Sequence, residues 1–171
     1  MREMSPSRIR RRDVTRCPLA RRGGRPVLGE GPDNARVFLI GESPGAEERR
    51  TGRPFVGRAG KFLDRALAEI GLPRKDVFVT SVEKYAPPGN RAPTRQEIAA
   101  CKPLLLRQIA QVDPEIVVLL GRIAKRAVRD EPVLEGRRVL ITVHPAAAMR
   151  FPWMGRRFRR DLRRLRAWLE T

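Results

Sequence analysis

Residues 37–60 read VFLIGESPGAEERRTGRPFVGRAG. The opening Val37-Phe38-Leu39-Ile40 is a short apolar run without polar alternation, the pattern of a strand covered on both faces. Two turns rich in Gly and Pro follow, and from Gly60 a helical stripe runs through Phe62, Leu63, Ala66, Leu67 and Ile70. The same strand-then-helix unit recurs along the chain. Candidate strands are Arg36–Ile40, Val77–Val82, Ile116–Leu120 and Arg138–Val143. The helices predicted after them are Gly60–Ile70, a segment from the N-cap Thr94 to about Val112 with Glu97 completing a capping box, Gly121–Arg129 and Gly155–Leu169. Such a series predicts an α/β protein in three layers, a central four-stranded parallel sheet between helices.

Length and composition bound the partners. A chain of 171 residues with 41% hydrophobic content suits one folded domain. The first sixteen residues are basic and hold no apolar run, which predicts a loose N-terminal arm (1–16) ahead of a single domain (17–171) in a soluble, cytoplasmic protein. No apolar stretch approaches the roughly 20 residues that cross a bilayer. Lys and Arg number 37 against 19 Asp and Glu, a net charge of +18, and arginines cluster at 8–12, 21–25 and 156–166. Arginine's flat fork matches phosphate oxygens, so the expected partner is a nucleic acid. The 156–166 run, with Phe158, Leu162 and Leu165 at helical spacing, reads as a docked helix with a solvated basic face. Two cysteines, Cys17 and Cys101, are too few for a disulfide scaffold and lack metal-site spacing.

Open α/β sheets bind ligands at the carboxyl ends of their strands. Three such ends here carry unusual chemistry. After the first strand come Gly41, Glu42, Glu47, Glu48 and Phe55. A strand-end carboxylate can orient water or balance a cationic centre, while Glu47 is read as a partner for Arg49 or Arg50. Phe55, exposed by its local composition, is either a filler beneath a loop or a stacking face for a flipped base. After the second strand, Pro87–Pro93 forms a rigid turn in which Pro88, Gly89, Asn90 and Arg91 can meet phosphate. After the fourth, His144 is the sole histidine, held by Pro145 and followed by a loop ending in Met149, Arg150 and Phe151, an apolar tip beside a cation that can wedge into a duplex.

In order along the chain, GESPGAEERRTGRPFVGRAGKFLDRAL, VTSVEKYAPPGNRAPTRQEIAAC, VVLLGRIA and HPAAAMR resemble the uracil-DNA glycosylase superfamily, most closely its iron–sulfur (family 4) branch. The resemblance implies excision of uracil or another deaminated base from DNA. Glu42, Glu48 and His144 would be catalytic, and Gly41, Phe55 and Ser81 would bind the base. Pro88, Gly89, Asn90, Arg91, Met149 and Arg150 would hold DNA. Two departures stand out. The branch's cluster cysteines match Val14, Cys17, Tyr85 and Cys101, so only two thiols remain, and the expectation is no cluster and no other cofactor or metal, with Tyr85 as an aromatic plug and the cysteines as buried relics. Ser81 stands where the family has a uracil-reading asparagine, which weakens base discrimination. The expected protein is a monomer acting on DNA with no membrane partner. The alternative is a DNA-binding homologue with weak or no catalysis; an RNA-binding module is the more distant one.

Overall fold

Four strands, β1 (Val37–Gly41), β2 (Val77–Ser81), β3 (Ile116–Leu120) and β4 (Arg138–Thr142), pair in parallel in the order β2-β1-β3-β4. The computed structural model describes Ile9 and residues 11–171. Register is continuous: Gly41 lies beside Ser81, Leu39 beside both Val79 and Val118, and Leu120 beside Thr142. Because β1 is central and the chain leaves it first toward β2 and later, through β3, toward β4, the crossovers diverge between β1 and β3. That divergence opens the crevice in which such sheets bind ligands.

Side-chain alternation divides the core in two. Val37, Leu39, Val77, Val79, Ile116 and Val118 face α2 (Arg58–Glu69), α5 (Pro145–Arg150) and α6 (Pro152–Leu169), which contribute Leu63, Leu67, Ala148, Phe158, Leu162 and Leu165. Phe38, Ile40, Phe78, Val117 and Leu119 face α3 (Arg95–Val112) and α4 (Arg122–Val128). The strands therefore read as unbroken apolar runs because both faces are covered. The helix predicted from Thr94 forms with its capping box: the Thr94 hydroxyl accepts from Glu97 N–H, and the Glu97 carboxylate accepts from Thr94 N–H.

Two helices were not expected. Ala46–Thr51 forms α1 inside the first loop, and Pro145–Arg150, predicted as a loop, forms α5. Pro145 at the first helical position and the alanines after it explain α5, since proline there loses no hydrogen bond and alanine costs least in a helix.

A third apolar cluster joins the N-terminal segment to α3. It holds Ile9, Val14, Cys17, Leu19, Tyr85, Cys101 and Leu104, all buried. Of the arm predicted to be loose, residues 1–8 and 10 lie outside the described residues, while Ile9 and Val14 are packed and Arg11–Val14 forms a short 3-10 turn. The cysteines are buried, as expected of them, and in addition Cys17 and Cys101 are joined in a disulfide across 84 residues. Among the described residues no helix is long and apolar enough to cross a membrane.

Candidate active site

A cavity of about 490 Å³ opens at the carboxyl end of the sheet, walled by Glu48, Phe55, Ser81, Asn90 and His144. The walls arrive from three strand ends, Glu48 and Phe55 after β1, Ser81 and Asn90 at and after the end of β2, and His144 after β4, which is why residues so far apart in sequence meet.

Gly41, read as a base-binding residue, closes β1 against Phe55 and does not itself line the cavity. A Cβ there would fall 2.4 Å from Phe55 Cζ and 3.3 Å from Ser81 Oγ, so only glycine lets the ring lie flat across the strand end. Phe55 is not exposed as expected but retains 7% of its surface, belonging to both core and cavity. Its backbone sits at φ 50°, a left-handed conformation that an aromatic residue adopts only when its surroundings impose it. Those surroundings are visible. Arg74 Nη1 donates to Phe55 O at 2.8 Å and Nη2 donates to Pro54 O. Asp64 and Glu30 in turn hold Arg74 at 3.1 and 3.0 Å. Gly60 leaves room for the Phe55 carbonyl, which a side chain there would strike. Sequence reasoning missed Arg74 and Glu30, whose partners are distant in the chain.

Glu48 is buried in α1, and its carboxylate ties two backbone segments together through three N–H groups. Oε2 accepts from Gly45 N–H at 3.0 Å, and Oε1 accepts from Val56 N–H at 2.9 Å and Gly57 N–H at 2.8 Å. A carboxylate has about four acceptor positions, so one remains on Oε2 toward the cavity. Glu42, by contrast, does not line the cavity. It is half-buried beyond the end of β1, its acidity weakened by burial, with the Arg122 charge opposing that shift. Glu47 pairs with Arg50 at 2.9 Å, as read from sequence.

His144 caps α5: its Nδ1 accepts from Ala146 N–H at 3.1 Å. That bond leaves the ring proton on Nε2 in the neutral form. Burial lowers the imidazole pKa to about 4, so the ring is uncharged at neutral pH. The ring lies 5.9 Å from that of Phe55. It crosses the end of β3 because Gly121 carries no side chain; a Cβ there would stand 3.1 Å from His144 Cβ. Since the unfolded chain binds a proton near pH 6.5 and the folded chain only near 4, this group's contribution to stability is complete above 6.5 and lost as pH falls through that window. With one histidine in the chain, the imidazole proton resonance should titrate near pH 4 in an NMR series; a midpoint near 6.5 would mean a solvated ring.

Ser81 faces the cavity, and its hydroxyl has no hydrogen-bond partner among the described residues. Behind it Lys84, fully buried, donates to Ser81 O and to Thr80 Oγ1, both at 2.6 Å. Burial brings this ammonium's pKa down to about 7. Lys84 was not singled out from sequence, although it fixes the strand end that presents Ser81.

Next to the cavity is a second hollow of about 550 Å³ between Arg25, Arg49 and Arg50 on one side and Pro87, Gly89 and Asn90 on the other. Asn90, at φ 53°, borders both hollows. Arg91 is engaged elsewhere: its guanidinium forks onto Glu97 at 2.9 and 2.7 Å, bonds that bring the Glu97 carboxyl down to about 2. Pro88 borders the hollow beyond, beside Arg25 and Arg49. Met149 and Arg150 end α5 on the exposed surface.

A parallel sheet with an aromatic face, a free hydroxyl and a neutral imidazole around one cavity, beside an arginine-lined groove, defines a protein built to hold a flat polar ring near phosphate. Residues 28–168 match the uracil DNA glycosylase superfamily. The chain is 38% identical to a type-4 uracil-DNA glycosylase of Pyrobaculum aerophilum, covering 88% of this chain and 87% of that one. It is 42% identical to one of Thermotoga maritima, over 80% and 78%, and 37% identical to one of Saccharolobus solfataricus, over 94% and 83%. The chain belongs to the uracil DNA glycosylase superfamily.

The positions that match the branch's cluster ligands do converge, since Val14, Cys17, Tyr85 and Cys101 share one apolar cluster. Their chemistry does not fit a cluster. Two sulfurs are bonded to each other, Val14 has no donor and Tyr85 is a phenol, with the Glu83 carboxylate 3.0 Å from Cys101 Sγ. Four thiolates, or an imidazole in place of some, are what such a group requires.

Proposed function

We propose that this protein hydrolyses the N-glycosidic bond of uracil in DNA. The observation that carries the reading is the neutral His144, its Nε2–H free to donate into a cavity that its ring lines together with the neighbouring ring of Phe55. A uracil flipped out of the helix stacks on Phe55, and the Ser81 hydroxyl meets its polar edge. The bond from the sugar's anomeric carbon to the base nitrogen breaks with its electron pair leaving on the base. Negative charge then gathers on a carbonyl oxygen, where the His144 Nε2–H stabilises it. Water adds to the anomeric carbon and releases a proton to solvent. Glu48 offers its open acceptor position to that water, and the charge of Glu42 stabilises the cation-like sugar. The bond is broken without any cofactor in these steps.

Arg25 and Arg49, with the Pro87–Asn90 turn, take the phosphates around the flipped nucleotide, and Met149 and Arg150 enter the space it leaves. Arg91 serves this grip by bracing the turn through Glu97. The protein is read as a cytoplasmic monomer. Incubation with single- and double-stranded uracil oligonucleotides, followed by alkali, tests the function; a chain that binds but leaves every strand intact is the non-catalytic homologue.

The protein is further read as free of an iron–sulfur cluster, its place filled by Val14, Tyr85 and the Cys17–Cys101 bond. Purified protein should lack stoichiometric iron and sulfide and show no free thiol when denatured without reductant. Reduction should cost about 2–4 kcal/mol of stability, read from denaturant unfolding, because the bond closes a long loop in the unfolded chain. Stoichiometric iron with visible absorbance refutes this.

A further inference from the structure

Among the described residues the exposed large hydrophobics are Met149, Phe151 and Trp153, at 38%, 40% and 55% exposure. All three fall within five residues, at the end of the helix that His144 caps and the junction just after it. The apolar tip read from sequence covers Met149 and Phe151; nothing so far uses Trp153.

Their exposure is built in. α5 and α6 meet at Phe151, and Gly155 seats the first turn of α6 on α5, where a Cβ would stand 2.9 Å from Ala148 O. α6 then turns Phe158, Leu162 and Leu165 into the core. The opposite stripe, at spacings of three and four, reads Trp153, Arg156, Arg160 and Arg163, all exposed. The helix carries seven arginines against one acid, Asp161. Arg157 and Arg160 share that acid at 3.6 and 3.5 Å, whereas Arg156 and Arg163 have no ion pair among the described residues. An exposed indole at the head of a row of arginines, two of them without an ion pair among the described residues, calls for a partner that is both polyanionic and flat-faced. Stacked duplex bases offer no face to such a ring, but an unpaired strand does.

We propose that Trp153, flanked by Phe151, is a stacking step for an unpaired DNA base beside the one in the cavity, and that Arg156 and Arg163 lead the phosphates of that single strand along α6. The proposal builds on the reading of the cavity as a DNA-base site, yet its test uses undamaged DNA, so a failure of catalysis does not decide it.

The chain has two tryptophans, and Trp168→Phe leaves Trp153 as the sole reporter. Adding single-stranded oligothymidylate should quench its fluorescence. In the otherwise native chain, Trp153→Ala should weaken binding of that strand about 5- to 150-fold. Duplex binding and the unfolding midpoint should hardly change, and Trp153→Phe should recover most of the affinity. The proposal fails if Trp153→Ala leaves single-strand binding within about twofold, or weakens duplex binding equally. It also fails if Trp153 responds to phosphatidylglycerol vesicles and not to the oligonucleotide, which would make this stripe a membrane face.

Discussion

Replacing His144 by alanine should lower the single-turnover rate of uracil excision about 100- to 1000-fold, the loss typical of removing one donor aimed at a developing oxyanion. The structure explains why so much rests on one group. The ring is neutral above about pH 4, and Ala146 N–H holds the opposite nitrogen and thereby the tautomer with the proton on Nε2. Burial removes competing water, which strengthens a hydrogen bond made only as charge develops. The facing residues cannot replace it: Phe55 has no donor, and Ser81 approaches from the end of β2. His144→Ala also removes the α5 cap, so the rate should be measured at saturating enzyme, with the unfolding midpoint recorded alongside. A variant that stays folded and excises within about fivefold of the native rate would overturn the assignment of His144 as the donor, given the size of that term.

What was legible in the sequence was what local chemistry decides. Ile116–Leu120 was read with the bounds it has, and the other strands within about a residue at each end, because continuous apolar runs between turn residues have few other uses. Thr94 and Glu97 announced their capping box in four letters. Phe55 and His144 were named because strand ends are where such sheets place ligands, and Ser81 because the family resemblance marks its position as one that reads the base. What stayed hidden depends on partners far along the chain. Arg74 looks like any surface arginine until the fold brings it beneath the Pro54 and Phe55 carbonyls. Lys84 reads as solvated, yet Thr80 and Ser81 enclose its ammonium. Arg91 was read as a phosphate ligand because its pairing with Glu97 needs the turn to be built first. Trp153 was passed over because it lies ahead of the helix predicted from Gly155, whereas the helix begins at Pro152 and turns the indole to water.

Glu48→Ala should cost about 2–4 kcal/mol of stability and abolish excision, since three half-buried N–H groups lose their acceptor, at up to roughly 1–3 kcal/mol each before water replaces it. Those donors, from Gly45, Val56 and Gly57, belong to the start of α1 and the approach to α2, so the loop carrying Phe55 loses its anchor at both ends. Glu48→Gln separates the carboxylate's two duties. The amide oxygen can still accept from Val56 and Gly57, but the amide nitrogen then faces Gly45 N–H donor to donor and offers nothing to a water in the cavity. The expected result is a loss of about 1–3 kcal/mol in denaturant unfolding together with a 10- to 100-fold slower single turnover, roughly the share of a positioned general base. If the glutamine variant unfolds at the native midpoint while its rate collapses, the clamp is incidental and Glu48 acts on water alone. If it is destabilised but excises at the native rate, the carboxylate is purely a clamp, and the duty of orienting water falls to the half-buried Glu42.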